Sequence, residues 1–450
     1  MFHKILIANR GEIAIRIMRA CREMGIRTVA VYSEADRDAL HVRYADEAYY
    51  IGPAPAAQSY LHIPHLISAA VASGAEAIHP GYGFLAENPF FARVCEAWGI
   101  KFIGPKAEAI EKMGVKAVAR TEMQKAGVPV VPGSEGIVTD SEELLAIAHD
   151  IGYPLLVKAS AGGGGRGIRI ARSEEELMAA WEKAQSEAKA TFGSAEVYVE
   201  KYLEAPHHIE VQVLGDNFGN VIHLGERECS LQRRRQKLLE EAPSVNVDPT
   251  LREQITAAAV AAAQAVNYTS AGTCEFLVDH LGHFYFIEMN TRVQVEHPIT
   301  ELITGVDIVK EQIRVAAGQP LRYKQEDIQI RGHAIECRIT AEDPDKGLLP
   351  AIGQISAYEP PGGPGVRVDS AAYAGFTVTP YYDSLIAKLL VWAEDRDAAI
   401  ARTMRALHEY RIDGIKTSLP VHERILEHPD FRAGQTTTEW LEAFLATVKV

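Results

Sequence analysis

Apolar and polar residues at the start of the chain follow a pattern that predicts a strand, a helix and a second strand. Lys4–Ala8 is apolar enough for a buried strand, and apolar residues then recur at helical spacing from Ile13 to Met24. Gly25 supplies the stop signal of the helix, and Thr28–Tyr32 follows as the second strand. A βαβ unit of this kind predicts a parallel sheet covered by helices.

The turn after the first strand argues against a nicotinamide dinucleotide site. Such a site requires a G-x-G-x-x-G turn, in which the glycines let the pyrophosphate approach the backbone. The segment Asn9–Ala14 contains one glycine, Gly11. A dehydrogenase is therefore disfavoured.

Turn signals divide the rest of the chain into further units. Val128–Gly133 resembles a linker into a separate lobe. The predicted strands of this lobe are Pro154–Lys158, Gly167–Ala171 and Val197–Lys201. Two hairpins follow, with turns at Asp216–Gly219 and His280–His283. The pattern changes again from about Arg331, and Pro360–Gly365 predicts a long turn.

Composition and charge narrow the class of protein. The chain has 450 residues, of which 47% are hydrophobic and 24% charged, as in globular proteins with several domains. The net charge of −14 argues against nucleic acid or an anionic membrane as the main partner. We also expect no signal peptide and no membrane span, because no apolar run is long enough. The five cysteines form no CxxC motif, so we expect a reducing, cytoplasmic setting.

A glycine-rich segment predicts a phosphate-binding loop. Lys158–Gly167 contains four consecutive glycines between two predicted strands. Glycines allow backbone N–H groups to approach a polyphosphate, and Lys158 adds a point charge. The loop is not a Walker motif, and the alternative is a hairpin turn with surplus glycines. Ordering four glycines without a ligand is entropically costly, which favours phosphate binding.

The second predicted hairpin carries candidate metal ligands. Alternation places Glu288 and Asn290 on one face of their strand. If the turn is centred on Leu281-Gly282, Glu275 lies directly across from Glu288. Facing carboxylates destabilise a hairpin unless a cation lies between them, and Glu and Asn oxygens suit Mg²⁺. The alternative is a pair of solvated surface glutamates.

The segment after this hairpin adds a candidate oxyanion site. Arg292 offers a fork of donors suited to a carboxylate or bicarbonate, and Glu296 is a candidate base near it. Such a pair is by itself more often a structural ion pair. Its position directly after the metal ligands favours the functional interpretation.

Several motifs together resemble the biotin carboxylase family over essentially the whole chain, in the family's order. They are Ile7–Ala14, His79–Leu85, the glycine-rich loop, Glu275 with Glu288–Pro298, Arg331–Arg338 and Pro380–Ser384. The resemblance implies an α/β chain with an ATP-grasp fold: a Rossmann-like parallel-sheet domain, a small central lid lobe and a C-terminal α+β domain. The implied domains are residues 1–114, 115–330 with a lid lobe at about 131–203, and 331–450.

The resemblance also implies roles for individual residues. The nucleotide contacts would be Lys116, Lys158, Gly164, Gly165, Glu200, Lys201, Tyr202, Leu203, His208, Gln232 and Arg235, and the Mg²⁺ or Mn²⁺ ligands Glu275, Glu288 and Asn290. The bicarbonate pocket would be Lys237, Arg292, Gln294 and Val295 with Glu296 as the base, and the biotin contacts Tyr82 and Arg338. The implied catalytic set is Lys237, Arg292, Glu296 and Arg338.

The sequence departs from the family pattern in three places. Arg235 stands where the family usually has histidine, Ala161 stands where another glycine is common, and the hairpin turn near Leu281 differs in length. Arginine is longer and always charged, but it can still bind ribose or phosphate. None of these changes removes a predicted metal or bicarbonate residue.

The implied reaction is carboxylation of biotin on a carrier protein by MgATP and bicarbonate, through carboxyphosphate. The sequence contains no Met-Lys-Met-like biotinylation segment, so we expect the carrier and the carboxyltransferase to be separate chains. Acetyl-CoA is the favoured final acceptor, with propionyl-CoA and pyruvate open. The family also implies a homodimer. The rival hypotheses are a two-subunit pyruvate carboxylase, another ATP-grasp ligase, and a non-catalytic nucleotide-binding subunit.

Overall fold

The computed structural model describes residues 1–134, 136–159, 168–192 and 196–447, which form a mixed α/β structure. The strands are β1 Lys4–Ile7, β2 Arg27–Ser33, β3 Glu47–Gly52, β4 Ala77–His79, β5 Lys101–Phe102, β6 Leu155–Ala159, β7 Ile168–Ala171, β8 Val197–Lys201, β9 His207–Gly215, β10 Val221–Arg233, β11 Gln236–Ala242, β12 Ser270–Val278, β13 Phe284–Asn290, β14 His333–Thr340, β15 Glu342–Asp343, β16 Leu349–Pro350, β17 Gly353–Gln354, β18 Ala357–Glu359, β19 Val366–Ser370, β20 Thr377–Val378, β21 Leu385–Ala393 and β22 Arg411–Asp413.

Fifteen α-helices accompany these strands in the described parts of the chain. They are α1 Gly11–Glu23, α2 Leu40–Tyr44, α3 Ile63–Ser73, α4 Pro89–Ala97, α5 Ala107–Gly114, α6 Lys116–Lys125, α7 Ser141–Ile151, α8 Glu174–Phe192, α9 Pro249–Ala265, α10 His297–Thr304, α11 Ile308–Ala316, α12 Arg396–Glu409, α13 Leu419–Glu427, α14 Pro429–Arg432 and α15 Trp440–Thr447. Within the described parts of the chain, none of these helices combines the length and the apolar character needed to cross a bilayer.

The N-terminal region is a parallel sheet buried on both faces. Its five strands run in the order β3-β2-β1-β4-β5. Ile5 and Ile7 pack in one core cluster with α1 and α11, while Leu6 and Ala8 pack in the other with α3 and α4. Covering both faces explains why the first strand is an uninterrupted apolar run. The predicted βαβ unit is confirmed, with the helix ending at Glu23.

The middle of the chain contains a small antiparallel sheet in the order β7-β6-β8, packed against α7 and α8. Most of the predicted glycine-rich loop, residues 160–167, lies outside the described residues. Lys158 lies at its start, on β6. This lobe and the sheets on either side of it along the chain confirm the predicted α/β class.

An eight-stranded sheet connects the middle and C-terminal parts of the chain. Its strand order is β13-β12-β9-β10-β11-β14-β21-β19, and every pairing in it is antiparallel. The predicted domain boundary lies between residues 330 and 331. β11, before this boundary, and β14, after it, are hydrogen-bonded neighbours, so one sheet contains strands from both predicted domains. The domain limits expected from the sequence remain a prediction. The continuous sheet places side chains from both sides of residue 330 on one face.

The hairpin β12–β13 contains the predicted pair of Glu275 and Glu288, but its turn differs from the predicted one. The turn is centred on Leu281, because the N–H of Asp279 donates to the carbonyl of His283 (2.9 Å). That centring alone would shift the register by one residue. A bulge at Ile287 restores it, so that Glu275 still pairs with Glu288.

The bulge also explains how the strand serves two faces. Phe286, before the bulge, and Met289, after it, both pack in the core around α9, although strict alternation would separate them. Glu288 is thereby turned to the opposite face, away from Phe276. The assumption that the turn is centred on Leu281-Gly282 was wrong, because a three-residue turn and a compensating bulge replace an even turn.

The close contact of Gly272 with the ring of Tyr268 gives a test of how β12 is held. A Cβ at Gly272 would lie 2.6 Å from Tyr268 Cε1, and this ring is fixed because its hydroxyl donates to the carbonyl of Ala271 (2.8 Å). We expect Gly272→Ala to lower the free energy of unfolding by about 1–3 kcal/mol. Calorimetric unfolding should show this as a lower midpoint temperature.

The matched control for that substitution is Gly114→Ala at the end of α5. No neighbouring atom lies within 4 Å of a Cβ there, and its backbone is helical. Alanine should leave stability unchanged or raise it by up to about 1 kcal/mol. Equal midpoints for the two variants would contradict the assigned packing of β12.

Candidate active site

A row of charged side chains crosses four neighbouring strands of the large sheet. Glu288 on β13 pairs with Glu275 on β12, Glu275 pairs with Glu210 on β9, and Glu210 pairs with Arg227 on β10. Directly paired residues share a face, so three carboxylates stand side by side. Glu210 and Arg227 have no exposed surface. Such a row requires cations to offset the repulsion and the loss of hydration.

Lys237 on β11 is the cation on which this row converges. Its Nζ donates to Glu210 Oε2 (2.5 Å), Glu275 Oε1 (3.0 Å) and Glu296 Oε1 (2.7 Å), with Gln294 Oε1 at 3.4 Å. Burial lowers the pKa of Lys237, but the three carboxylates outweigh burial and raise it well above its ordinary value. The ammonium is therefore charged at neutral pH.

Arg227 fixes the buried end of the row. Its guanidinium bonds Glu210 and donates to Gln212 Oε1 (2.8 Å), Thr273 Oγ1 (3.1 Å) and Thr300 Oγ1 (2.9 Å). Thr300 lies on α10, so the same side chain connects the sheet to that helix. Four bonds from one guanidinium satisfy a charge that burial would otherwise make very costly.

Glu296 stands at the N-cap position of α10 between two cations. Its Oε1 accepts from Lys237 and its Oε2 accepts from Arg338 Nη2 (2.9 Å). Burial raises the pKa of Glu296, but Lys237, Arg338 and Arg227 lower it well below its ordinary value. The carboxylate is ionised at neutral pH, which is the form that can accept a proton.

Arg292 and Glu296 do not form the structural ion pair that was the alternative interpretation of their spacing. Arg292 Nε donates to Glu87 Oε2 (2.9 Å), and its Nη2 donates to Asn290 Oδ1 (2.9 Å). Glu87 also accepts from the backbone N–H of Thr291 (2.9 Å). Arg292 is held by a carboxylate from the N-terminal region, which leaves the ionised Glu296 to Lys237 and Arg338.

The predicted metal ligands are brought together in part. Asn290 Nδ2 donates to Glu275 Oε1 (2.8 Å), whereas the carboxylate of Glu288 turns toward Lys116 and lies 3.4 Å from its Nζ. Burial raises the pKa of Glu275, but Lys237 and His208 lower it well below its ordinary value. Ionised carboxylates with an amide oxygen are hard donors, so this set fits Mg²⁺.

A second group of possible ligand atoms adjoins the first. Atoms of His208, Glu210 and Glu275 lie within 4.8 Å of one another, and His208 Nε2 is 3.1 Å from Glu275 Oε2. Sequence reasoning missed Glu210 as a site residue. Its signal was the alternation of His208, Glu210 and Gln212 with apolar residues along β9, which indicates one polar face.

Three of the predicted nucleotide residues, Lys158, Glu200 and Lys201, lie on strands of the small lobe. Lys158 forms an ion pair with Glu200, whose other oxygen lies 3.5 Å from Arg120 Nη1. Lys201 Nζ donates to the carbonyls of Gly152 (3.1 Å) and Tyr153 (2.8 Å). The side chain of Lys201 thus contributes to holding the lobe together.

The remaining predicted nucleotide residues occupy separate surroundings. The hydroxyl of Tyr202 donates to Glu439 (2.7 Å), Leu203 is half-buried, and Gln232 Nε2 lies 2.9 Å from His208 Nδ1. Gly164 and Gly165 fall outside the described residues. His208 contacts both Gln232 and Glu275 and therefore connects this group to the metal ligands.

Arg235 occupies the second position of the tight turn between β10 and β11. Its φ of 66° and the φ of 49° at Arg234 are the values of a type I′ hairpin turn, which favours Asn and Gly. Both arginines are exposed. The structure therefore presents Arg235 at the tip of a hairpin whose following strand begins one residue before Lys237.

The predicted biotin contacts lie on the C-terminal side of the same face. Arg338 Nε donates to Glu240 Oε1 (2.6 Å), and the hydroxyl of Tyr82 donates to Glu12. Glu12 also lies 3.1 Å from the ammonium of Lys388, which donates to the carbonyl of Val295 (2.8 Å). Lys388 has no exposed surface, so this contact fixes the backbone of the predicted bicarbonate pocket.

Three models of known families match consecutive parts of the chain. The biotin carboxylase N-terminal domain matches residues 1–110, the ATP-binding domain of the carbamoyl-phosphate synthase L chain matches residues 116–324, and the biotin carboxylase C-terminal domain matches residues 336–443. Together these matches cover the row of charges, the nucleotide residues and the biotin side of the site.

Individual relatives match along nearly their whole length. The chain is 58% identical over 445 residues to biotin carboxylase 1 of Bacillus subtilis (strain 168), covering 99% of each chain. It is also 58% identical over 444 residues to a pyruvate carboxylase subunit of Methanothermobacter thermautotrophicus, covering 99% of this chain and 90% of the relative.

A solved structure shares the fold. It is the biotin carboxylase domain dimer of Hydrogenobacter thermophilus 2-oxoglutarate carboxylase in complex with MgADP, ADP and bicarbonate. The match has a TM-score of 0.92, with 57% identity and full coverage of both chains.

Removal of the central ammonium tests the electrostatics of the site. We expect Lys237→Gln to lower the free energy of unfolding by about 3–5 kcal/mol at neutral pH, because it leaves buried carboxylates unpaired. The folded pKa values of Glu275 and Glu296 are depressed, so their stabilising contribution is present above about pH 4.5 and is lost as pH falls. The difference in the free energy of unfolding between Lys237→Gln and wild type should therefore become smaller below about pH 4.5. Denaturant unfolding at several pH values measures it.

The control for the loss of a lysine charge is Lys324→Gln. Lys324 is 79% exposed and lies 3.6 Å from Glu326. A surface pair of this kind contributes about 0–1 kcal/mol, so this variant should unfold like wild type at every pH. A gap for Lys237→Gln that stays constant down to low pH would contradict the assigned ion pairs.

Proposed function

This chain belongs to the biotin carboxylase family, and from that premise we propose that it carboxylates biotin on a carrier protein, using MgATP and bicarbonate. The observation that carries the proposal is the ionised, buried Glu296 between Lys237 and Arg338. A carboxylate held in this way is a base beside two cations that can bind anions.

Bicarbonate is a poor nucleophile until its O–H is deprotonated. In the proposed reaction Glu296 takes that proton, while Lys237, Arg292 and Gln294 hold the resulting negative charge with the backbone at Val295. The freed oxygen attacks the terminal phosphorus of ATP, the bond to ADP breaks, and carboxyphosphate forms. Lys388 supports this geometry through its bond to the Val295 carbonyl.

Phosphoryl transfer needs alignment and neutralisation of charge more than covalent help. Glu275, Glu288 and Asn290 would hold Mg²⁺ or Mn²⁺, which when bound offsets the charge of the phosphates. Lys116, Lys158, Gly164 and Gly165 are the proposed phosphate-side contacts. The other proposed nucleotide contacts are Glu200, Lys201, Tyr202, Leu203, His208, Gln232 and Arg235.

The second step is proposed on the C-terminal side of the site. Carboxyphosphate breaks into CO₂ and phosphate, and the ureido nitrogen of biotin attacks CO₂ as its proton leaves to phosphate. Arg338 stabilises the ureido oxygen as negative charge develops there, and Tyr82 contacts the biotin ring. From the sequence alone we also propose that the glycine-rich loop protects the labile carboxyphosphate from water.

We further propose that the chain is the biotin carboxylase component of an acetyl-CoA carboxylase. Its match to biotin carboxylase 1 of Bacillus subtilis supports a biotin carboxylase component, while its equal identity to a pyruvate carboxylase subunit supports the alternative of a two-subunit pyruvate carboxylase. A carrier protein and a carboxyltransferase in separate chains, a homodimer and a cytoplasmic location complete the proposal. The dimeric relative supports the homodimer.

We expect the isolated protein to release ADP from MgATP in a bicarbonate-dependent reaction that free biotin accelerates. Glu296→Gln keeps the side-chain volume but removes the base, so it should lower the biotin-stimulated rate by about 100- to 10,000-fold. A coupled assay for ADP measures both effects. Arg292→Ala should abolish activity by removing the oxyanion contact.

The matched control for the loss of the base is Glu326→Gln, whose side chain is 77% exposed. It should have the wild-type rate. ADP release that does not depend on bicarbonate would refute the proposed reaction, and full activity in Arg292→Ala would refute the proposed bicarbonate site.

The choice of final acceptor is tested by partner capture. We expect the tagged protein, purified from its own cells, to bring with it a biotinylated carrier and a carboxyltransferase that converts acetyl-CoA to malonyl-CoA. The eluate is assayed with labelled bicarbonate and each acceptor in turn, and the products are identified by mass spectrometry. Label appearing in oxaloacetate from pyruvate, and not in malonyl-CoA, would favour the pyruvate carboxylase alternative.

A further inference from the structure

Two fully buried carboxyl groups face each other behind Arg338. Glu240 on β11 pairs directly with Glu336 on β14, and neither side chain has exposed surface. Three of their four oxygens, Glu240 Oε2 and both oxygens of Glu336, find no hydrogen-bond partner among the residues that the structure describes. The fourth, Glu240 Oε1, accepts from Arg338. An unpaired buried carboxylate is too costly to persist, so this arrangement needs an explanation.

Positive charges around the pair belong to neighbouring elements. Arg338 on β14 and Lys388 on β21 are cross-strand neighbours. Lys237 lies on β11, three residues before Glu240. These cations already serve Glu296, Glu12 and the row of carboxylates.

Negative and neutral groups complete the surroundings of the pair. Glu296, at the start of α10, adds negative charge, and Tyr82 approaches from the N-terminal region. The thiols of Cys229 on β10 and Cys337 on β14 stay neutral, because burial and these glutamates raise their pKa values. Two ionised carboxylates at Glu240 and Glu336 would therefore have between them one directly bonded cation, Arg338, which Glu296 also uses.

We propose that Glu240 and Glu336 share one proton, with the O–H of Glu336 donating to Glu240 Oε2, and that the ionised Glu240 positions Arg338. One proton between the two groups accounts for two of the three unpaired oxygens, and it makes the third a neutral carbonyl oxygen, which costs less to bury than a carboxylate oxygen. It also leaves a single negative charge, which sits next to the guanidinium. Arg338 is thereby held between Glu240 and Glu296 before biotin arrives.

The proposed role of Arg338 toward biotin comes from the proposed function, so this part of the inference rests on it. The sharing of the proton does not. Burial is the largest cause of the shift at both sites: it raises the pKa of Glu240 to about 7 and that of Glu336 well above its ordinary value. Below about pH 7 Glu240 becomes neutral, and Arg338 loses one of its two anionic partners.

Infrared spectroscopy tests the shared proton without reference to activity. At about pH 8, exposed glutamates are ionised and give no carboxylic-acid carbonyl band. We expect a band from Glu336 in the wild-type protein at that pH and its loss in Glu336→Gln. Glu326→Gln, at an exposed position, should leave the spectrum unchanged.

A second variant keeps this test decisive if Glu336→Gln does not fold. Glu240→Gln replaces the ionised acceptor of the shared proton with a neutral amide, so the Glu336 band should shift in frequency. Thermal unfolding establishes which variants are folded. If no band responds to either substitution, the inference is overturned, whatever the protein catalyses.

Kinetics test the positioning of Arg338. The value of kcat/KM for biotin should fall below about pH 7 as Glu240 is protonated. Glu336→Gln donates a permanent N–H to Glu240 and should move this fall to lower pH. Glu240→Gln should lower kcat/KM for biotin by about 10- to 100-fold while leaving KM for ATP unchanged, and Glu240→Asp should partly restore it.

The two kinds of failure are distinguishable. A wild-type protein that shows the Glu336 band but no bicarbonate-dependent ADP release would refute the proposed function and still support the shared proton. An active protein whose pH dependence for biotin is the same in wild type and Glu336→Gln would overturn the positioning role.

Discussion

The ammonium of Lys237 is the group on which the rest of the site depends. It lies within hydrogen-bond distance of carboxylates from three separate elements, Glu210 on β9, Glu275 on β12 and Glu296 at the start of α10. Each of these anions would be expensive to bury alone, because removing a carboxylate from water costs several kcal/mol even after the protein relaxes. One cation shared among them allows a dense group of negative side chains to exist inside the protein, and that group carries both the candidate base and a candidate metal ligand.

This central contact is possible because the large sheet separates its chemistry by face. One face of β9, β12 and β13 packs apolar side chains such as Val211, Phe276 and Met289 around α9. The opposite face carries the charged row, and Arg227 closes it by bonding the sheet to α10. The bulge at Ile287 is the local irregularity that permits this division, since it lets one short strand present aromatic side chains to the core and Glu288 to the site.

The site is also assembled from distant parts of the chain. Arg292 is held by Glu87, about 200 residues away in sequence, and Val295 is held by Lys388 from β21. Lys388 in turn meets Glu12, which accepts the hydroxyl of Tyr82. The same backbone segment that follows the metal hairpin is therefore fixed from both the N-terminal and the C-terminal regions. Contacts from all three matched family regions therefore hold the segment that leads to the candidate base.

Periodicity and turn chemistry act over a few residues, so the printed sequence was enough to predict the local features of this protein. The apolar run of β1, the helical spacing of α1 and the pairing of Glu275 with Glu288 were all readable from it, and the family resemblance located the site. Which charges meet follows from the tertiary structure: Lys237 with three carboxylates, Arg292 with Glu87, and Glu240 with Glu336. The alternation of apolar and polar residues likewise did not predict the position of the hairpin turn or the bulge at Ile287. These contacts depend on how strands far apart in sequence are brought into register and buried, and burial decides which charged groups must be paired.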